Sequence, residues 1–174
     1  MKTITLFRHA KSSWKKPSIP DEKRALNKRG RRDAPFMADI FAALCAERSR
    51  LIPDLIASSP ATRSVQLAKQ LNGALTTINP AMKFEASKAL YTFSTPDLLK
   101  VITQFDDQLS SVLVVAHNPA ITEAINFLCA ESQLYIENLP TSGFVSISFA
   151  TDQWAGAQPK IATPIAYDFP KNYL

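Results

Sequence analysis

The chain has 174 residues, 46% of them hydrophobic and 20% charged, and a formal net charge of +5 at neutral pH. That size is sufficient for one domain with its own core, residues 1–174, and no shift in composition marks a linker inside it. The longest apolar runs fall far below a membrane-spanning length, and Met1 to His9 carries neither a leader-length apolar stretch nor a small-residue cleavage site; a cytoplasmic protein without membrane contact is expected.

Ile4-Thr5-Leu6-Phe7 reads as a buried first strand. A polar loop follows through Gly30, and Phe36, Ile40, Phe41 and Leu44 then recur at helical intervals, which predicts a helix over residues 32–48. Asp54 to Ser58 reads as the second strand. Ser59-Pro60 supplies a cap followed by proline at the first helical position, opening a helix that Asn72-Gly73 should stop after Leu71. A weaker strand is predicted at Lys83 to Ala86, and Thr95-Pro96-Asp97 opens a helix carrying Leu98, Leu99, Val101, Ile102 and Phe105. Val112 to Ala116 is the central strand, Pro119 opens a helix ending near Cys129, and Gly143 to Ala150 alternates like a strand. The last 24 residues carry less signal: an edge strand at Lys160 to Thr163, and Trp154, Tyr167, Phe169 and Tyr173 as packing residues. Strand and helix alternate throughout, which predicts an α/β fold: a three-layer, Rossmann-like domain whose mostly parallel sheet is flanked by helices on both faces.

Only four glycines are present, and neither a G-x-G-x-x-G nor a G-x-x-x-x-G-K-[ST] pattern occurs, so dinucleotide and ATP chemistry have no support and no cofactor is expected. Cys45 and Cys129 lie in apolar segments without C-x-x-C spacing and read as buried, reduced thiols instead of a disulfide or zinc site. The positive charge is local. Residues 8–32 hold ten Lys or Arg against Asp21 and Glu22. No nucleic-acid module accompanies this segment and Trp14 is its single aromatic, so an acidic or phosphorylated partner is expected in preference to nucleic acid.

Both histidines of the chain follow apolar runs, His9 after the first strand and His117 after the central one. Ligands of open α/β sheets bind beyond the carboxyl ends of the strands, which is where both imidazoles belong. Arg8 precedes His9, and Arg63 falls in the first turn of the helix after the second strand, beside free N–H groups that attract an anion. Two guanidiniums offer bidentate forks to phosphoryl oxygens and can neutralise charge there without a metal ion. Neutral imidazole is a competent nucleophile near pH 7, which suits His9; His117 is expected to stabilise the phosphoryl oxygens.

Arg8-His9-Ala10-Lys11-Ser12, the turn Ser58-Ser59-Pro60-x-x-Arg63, and His117-Asn118-Pro119 resemble, in order, the motifs of the histidine phosphatase (phosphoglycerate mutase-like) superfamily. The short length, Leu26-Asn27-Lys28-Arg29-Gly30 and Pro140-Thr141-Ser142-Gly143 are similar to its SixA-type phosphohistidine phosphatase branch. The resemblance implies a phosphohistidine intermediate on His9, a phosphate site of Arg8, Ser12, Arg63 and His117, and no large cap insertion. Ala10 stands where the family has glycine. The proton-donating acid that larger members carry after the third strand has no counterpart in Lys88-Ala89-Leu90-Tyr91, and Glu85 and Asp97 are the nearest candidates. Protonating an ester oxygen is usually worth about 10²–10⁴-fold in rate, whereas imidazole leaves phosphorus readily, so the expected substrate is phosphohistidine in a signalling phosphotransfer protein with an acidic surface. A phosphatase for small phosphate monoesters and a non-catalytic phosphate-recognising module are the alternatives.

Overall fold

The computed structural model describes residues 1–174. Its strands are β1 (Lys2–Arg8), β2 (Leu55–Ser58), β3 (Lys83–Ala86), β4 (Ser111–Ala116), β5 (Phe144–Phe149) and β6 (Thr163–Asp168), in the sheet order β3-β2-β4-β1-β5-β6. β3, β2, β4 and β1 pair in parallel, while β5 adds antiparallel to β1 and β6 antiparallel to β5. The helices are α1 (Lys28–Glu47), α2 (Thr62–Leu75), α3 (Thr95–Thr103) and α4 (Ala120–Leu128).

Alternation along the central strands divides the core into two halves. Ile4 and Leu6 of β1, with Val112, Val114 and Ala116 of β4, face α3 and α4 through Leu98, Ile102, Ile121 and Ile125. Phe7, Leu113 and Val115 point the other way, against Met37 and Phe41 of α1 and Leu67 and Leu71 of α2. Each fully buried side chain of this size contributes roughly 1.5–3 kcal/mol, so a sheet covered on both faces is the stable arrangement for strands that are apolar throughout. Phe7 anchors its half, with its ring centroid 5.5 Å from Phe41 and 4.9 Å from Phe144.

Three boundaries differ from the sequence expectation. α1 begins at Lys28 instead of residue 32, because the Asn27 side chain accepts the Gly30 N–H at 2.9 Å and caps the helix a turn early. α2 starts at Thr62, two residues after Pro60, and runs through Asn72-Gly73 to Leu75. Leu71 and Leu75 both lie buried on the same face of α2, and that burial outweighs a glycine whose cost in a helix is about 1 kcal/mol. The edge strand lies at Thr163–Asp168 instead of Lys160–Thr163; Pro164 falls at a register irregularity opposite Ile147, as suits proline in an outer strand. In the C-terminal region Trp154 is fully buried, whereas Tyr167 and Tyr173 are partly exposed.

β1 and β4 are neighbours with Arg8 opposite Ala116, so the residues that follow them, His9 and His117, emerge side by side at the carboxyl edge of the sheet. The long connection from β1 to α1 is pinned: Ser12 bridges to Leu26, Ser13 N–H donates to Ala25 O at 2.8 Å, and Asn27 N–H to Lys11 O at 3.0 Å. Gly30 permits this closeness, since a Cβ there would stand 2.2 Å from the Lys11 carbonyl oxygen. At the far end of the connection the buried Arg24 lies under the exposed Trp14 ring, 3.8 Å from its centroid.

Candidate active site

Backbone hydrogen bonds lock the strand end that carries His9. His9 N–H donates to Ala116 O at 3.1 Å, and the Ser142 N–H is shared between the carbonyls of Arg8 and His9, each at 3.1 Å. Ser142 adopts φ 60° to make that contact, a left-handed conformation that a serine rarely takes. Thr141-Ser142-Gly143 thus acts as a clamp on the Arg8-His9 backbone.

The His9 and His117 ring centroids are 5.2 Å apart. His9 Nδ1 lies 2.8 Å from its neighbour's carbonyl, Ala10 O, which must accept; the proton is therefore on Nδ1 and the lone pair on Nε2. Burial, with the nearby Arg63 and Arg8 charges, lowers the His9 pKa to about 4 despite the opposing Ala10 bond, so the ring is neutral at pH 7. His117 is fully buried, and burial together with the His9 and Arg63 charges lowers its pKa to about 3. Arg63 Nη2 donates to His117 Nδ1 at 3.3 Å, which leaves the His117 proton on Nε2, directed to Ser59 Oγ at 2.7 Å.

The arginines are held differently. Arg8 Nη1 donates to Leu139 O at 2.9 Å, and Leu139 is fixed in turn by its N–H bond to Thr122 Oγ1, a hydroxyl that donates to Asn118 Oδ1. Asn118, next to His117, thereby positions Arg8 from across the site. The Arg63 fork is taken by Asp21: Nη1 donates to its carbonyl at 2.7 Å and Nη2 to its carboxylate at 2.9 Å. Tyr91 donates its hydroxyl to the same carboxylate oxygen at 2.6 Å. The Nε groups of Arg8 and Arg63 are buried without a partner. Arg29, in the first turn of α1, donates to Thr141 Oγ1 at 3.1 Å and depresses the Arg8 pKa, after burial and alongside Arg63.

Arg8, His9, Arg63 and His117 are thus brought together. Ser12 lies buried in the bridge to Leu26, its side chain outside the hydrogen-bond network of the two histidines. Glu85 is exposed on the edge strand β3, and Asp97 is exposed at the start of α3, where it accepts from Thr92. The carboxylate that does reach the site is Asp21. Burial pushes its pKa up, but the Tyr91 and Arg63 hydrogen bonds and the Arg63 charge prevail and hold it below the usual carboxylate value. Sequence reasoning passed over Asp21, one of two adjacent acids within a basic segment, and nothing local distinguishes it from the exposed Glu22 beside it. Ser59, read as a helix cap, serves as the His117 acceptor and also takes the Ala61 N–H at 3.2 Å.

No protein-family model matches the chain. A chloroplastic protein of Arabidopsis thaliana, itself uncharacterised, is 30% identical over 135 residues, covering 74% of this chain, and the chain spans 60% of that relative's length. Among solved structures, a protein of Agrobacterium tumefaciens with the provisional name phosphohistidine phosphatase SixA superposes with a TM-score of 0.74 at 24% identity, over 97% of this chain and 98% of its own. The protein histidine phosphatase SixA complexed with tungstate gives 0.70 at 18% identity, over 99% of both chains. A mycobacterial glucosyl-3-phosphoglycerate phosphatase complexed with VO3 gives 0.64 at 12% identity, over 98% of this chain and 100% of its own. The chain has the histidine phosphatase fold, an α/β, Rossmann-like sheet flanked by helices, along almost its entire length.

Proposed function

We propose that this chain is a phosphatase that takes a phosphoryl group onto His9 Nε2 and passes it to water without a metal ion, its substrate being phosphohistidine on an acidic cytoplasmic signalling protein such as a phosphotransfer domain. The observation that carries the reading is the Nδ1 bond of His9 to Ala10 O at 2.8 Å, which fixes the tautomer and leaves a neutral, nucleophilic Nε2 amid cationic side chains.

The phosphoryl oxygens would meet Arg8 and Arg63, whose positive charge matches the charge spread over those oxygens during transfer. Because both Nη groups of Arg63 are bonded to Asp21, a phosphoryl group gains that fork only by exchanging with the Asp21 side chain. His117 would support the oxygens by turning its Nε2–H from Ser59 toward them. The incoming P–N bond forms on His9 as the substrate's P–N bond breaks; the departing imidazole leaves as a neutral ring once its other nitrogen is protonated. Water then attacks phospho-His9 and restores the free imidazole.

Asp21 favours this substrate. A carboxyl held below its usual pKa is ionised at neutral pH and donates no proton to an alkoxide, so leaving groups that need little acid assistance are preferred. The exposed Lys15, Lys16, Lys28 and Arg29 around the same loop would steer an acidic protein surface to the site.

The test is to incubate wild type and His9→Ala, with EDTA present, with a phosphohistidine-bearing phosphotransfer domain and with an alkyl phosphate ester such as glycerol phosphate, whose alkoxide needs an acid to leave. His9-dependent loss of phosphate from the protein substrate, with ester turnover well below it, is the expected result. Dominant ester turnover would make the chain a small-ester phosphatase, and no activity on either would make it a phosphate-recognising module.

A further inference from the structure

Phe93 has no role in the chemistry above, yet it stands beside it. Its ring centroid is 5.2 Å from that of His117, the two planes are inclined by 47°, and 47% of the residue is open to solvent. Tyr91 meets both rings edge-on, 5.3 Å from His117 and 5.7 Å from Phe93, and its hydroxyl is tied to Asp21. A large aromatic with half its surface exposed at the lip of a buried polar site loses hydrophobic stabilisation in the free protein.

The segment is held firmly. Ser94 caps α3 through Asp97 N–H at 3.4 Å, Ser94 N–H donates to Thr92 Oγ1 at 3.1 Å, and Thr95 Oγ1 donates to Glu123 of α4 at 2.5 Å. The exposed ring is therefore carried by a short connection fastened on both sides, and its position is set before any ligand arrives.

We propose that Phe93 is a specificity-determining residue, a stacking platform that selects phosphorylated substrates whose leaving group is an aromatic ring, either the imidazole of phosphohistidine or the phenol of phosphotyrosine. The inference rests on the phosphatase reading and narrows it. In-line transfer sends the leaving group away from the nucleophile. Phe93 borders His117, the residue that would sit beside the phosphoryl oxygens, and its solvent-exposed ring is open to a group leaving on that side. Planar rings gain from offset or edge contacts with Phe93, and an alkyl leaving group does not. The same preference follows from the site's ionised carboxylate, because imidazole and phenol leave with less acid assistance than an alkoxide, so binding and chemistry select the same substrates.

The experiment compares wild type, Phe93→Leu and Phe93→Trp on phosphohistidine peptide, phosphotyrosine peptide and phosphoserine peptide, with His9→Ala as background. Leucine keeps apolar bulk and removes the ring. The expected result is a loss of about three- to tenfold in kcat/KM, mostly in KM, for the aromatic substrates with Phe93→Leu, recovery with Phe93→Trp, and no change in any residual phosphoserine turnover. The difference between the two aromatic arms identifies the source of the ring. Equal effects of Phe93→Leu on all three substrates, or none, with His9-dependent turnover intact, overturn the platform while the phosphatase reading stands. No His9-dependent turnover of any substrate overturns both.

Discussion

Asp21→Asn removes one charge and little else, since an amide oxygen can still accept from Arg63 and Tyr91. In the wild-type protein the carboxylate faces the Arg63 fork at 2.9 Å and, on the proposed reading, would compete with an arriving phosphoryl group for it. Two unit charges about 4 Å apart interact by about 4 kcal/mol at an effective dielectric constant of about 20. The Asp21 side chain is 41% exposed while that of Arg63 is only 4% exposed, so solvent screens one partner and the competition is worth about 1 kcal/mol, or roughly fivefold. Inorganic phosphate should therefore bind the Asn variant roughly fivefold more tightly by calorimetry, with the gain shrinking in high salt. The same substitution leaves Arg63 without its counter-charge, and melting should fall by about 2–4 °C. Weaker or unchanged phosphate binding in the variant would refute the exchange of Asp21 for phosphate and make Asp21 a helper of the anion.

Both histidines should stay neutral well below pH 6.5. Their folded pKa values near 4 and 3 lie under the ordinary 6.5, so the unfolded chain binds more protons as pH falls. Stability is full above pH 6.5 and is lost as pH drops toward 4, by up to about 1.4 kcal/mol per pH unit for each histidine. Ring resonances of His9 and His117 that titrate near 6.5 by NMR would contradict this burial. Two glycines separate packing from propensity. Gly30→Ala drives a methyl against the Lys11 carbonyl and should cost about 2 kcal/mol together with much of the His9-dependent activity. Gly73→Ala meets open space within α2 and should stabilise by up to about 1 kcal/mol with activity retained, as chemical denaturation and turnover can show.

The central strands and the two histidines were legible because their signals are local: an apolar run ending in a polar residue marks a buried strand and its carboxyl end without reference to the rest of the chain. Burial on both faces of the sheet follows from the same runs. The missed features come from contacts between distant segments. Leu75 holds α2 beyond its glycine through packing that no local stop signal records. Asp21 meets Arg63 across 42 residues of sequence and Tyr91 across 70, from a loop without periodicity. Ser142 adopts a left-handed backbone to bond Arg8 and His9 over more than 130 residues. The motif Pro140-Thr141-Ser142-Gly143 was visible, but its task as a backbone clamp depended on where β5 entered the sheet.

Electrostatics connects these long-range contacts with the strand-end residues. Arg8 and Arg63 are close enough for each to perturb the titration of the site, Arg29 adds a third charge, and both histidines are kept neutral by burial. A half-buried cluster of guanidiniums needs an anion nearby, because desolvated charge without a partner is costly. In the free protein Asp21 is that anion, presented on a loop pinned to the body of the fold by backbone bonds near its ends, with its side chain still reachable by water. A tetrahedral dianion carries more charge and more acceptor oxygens than one carboxylate, so on the proposed reading it would displace Asp21 from Arg63. On the proposed reading, this pairing would keep the arginine aimed at the site before substrate arrives and would make a doubly charged group a better guest than a singly charged one.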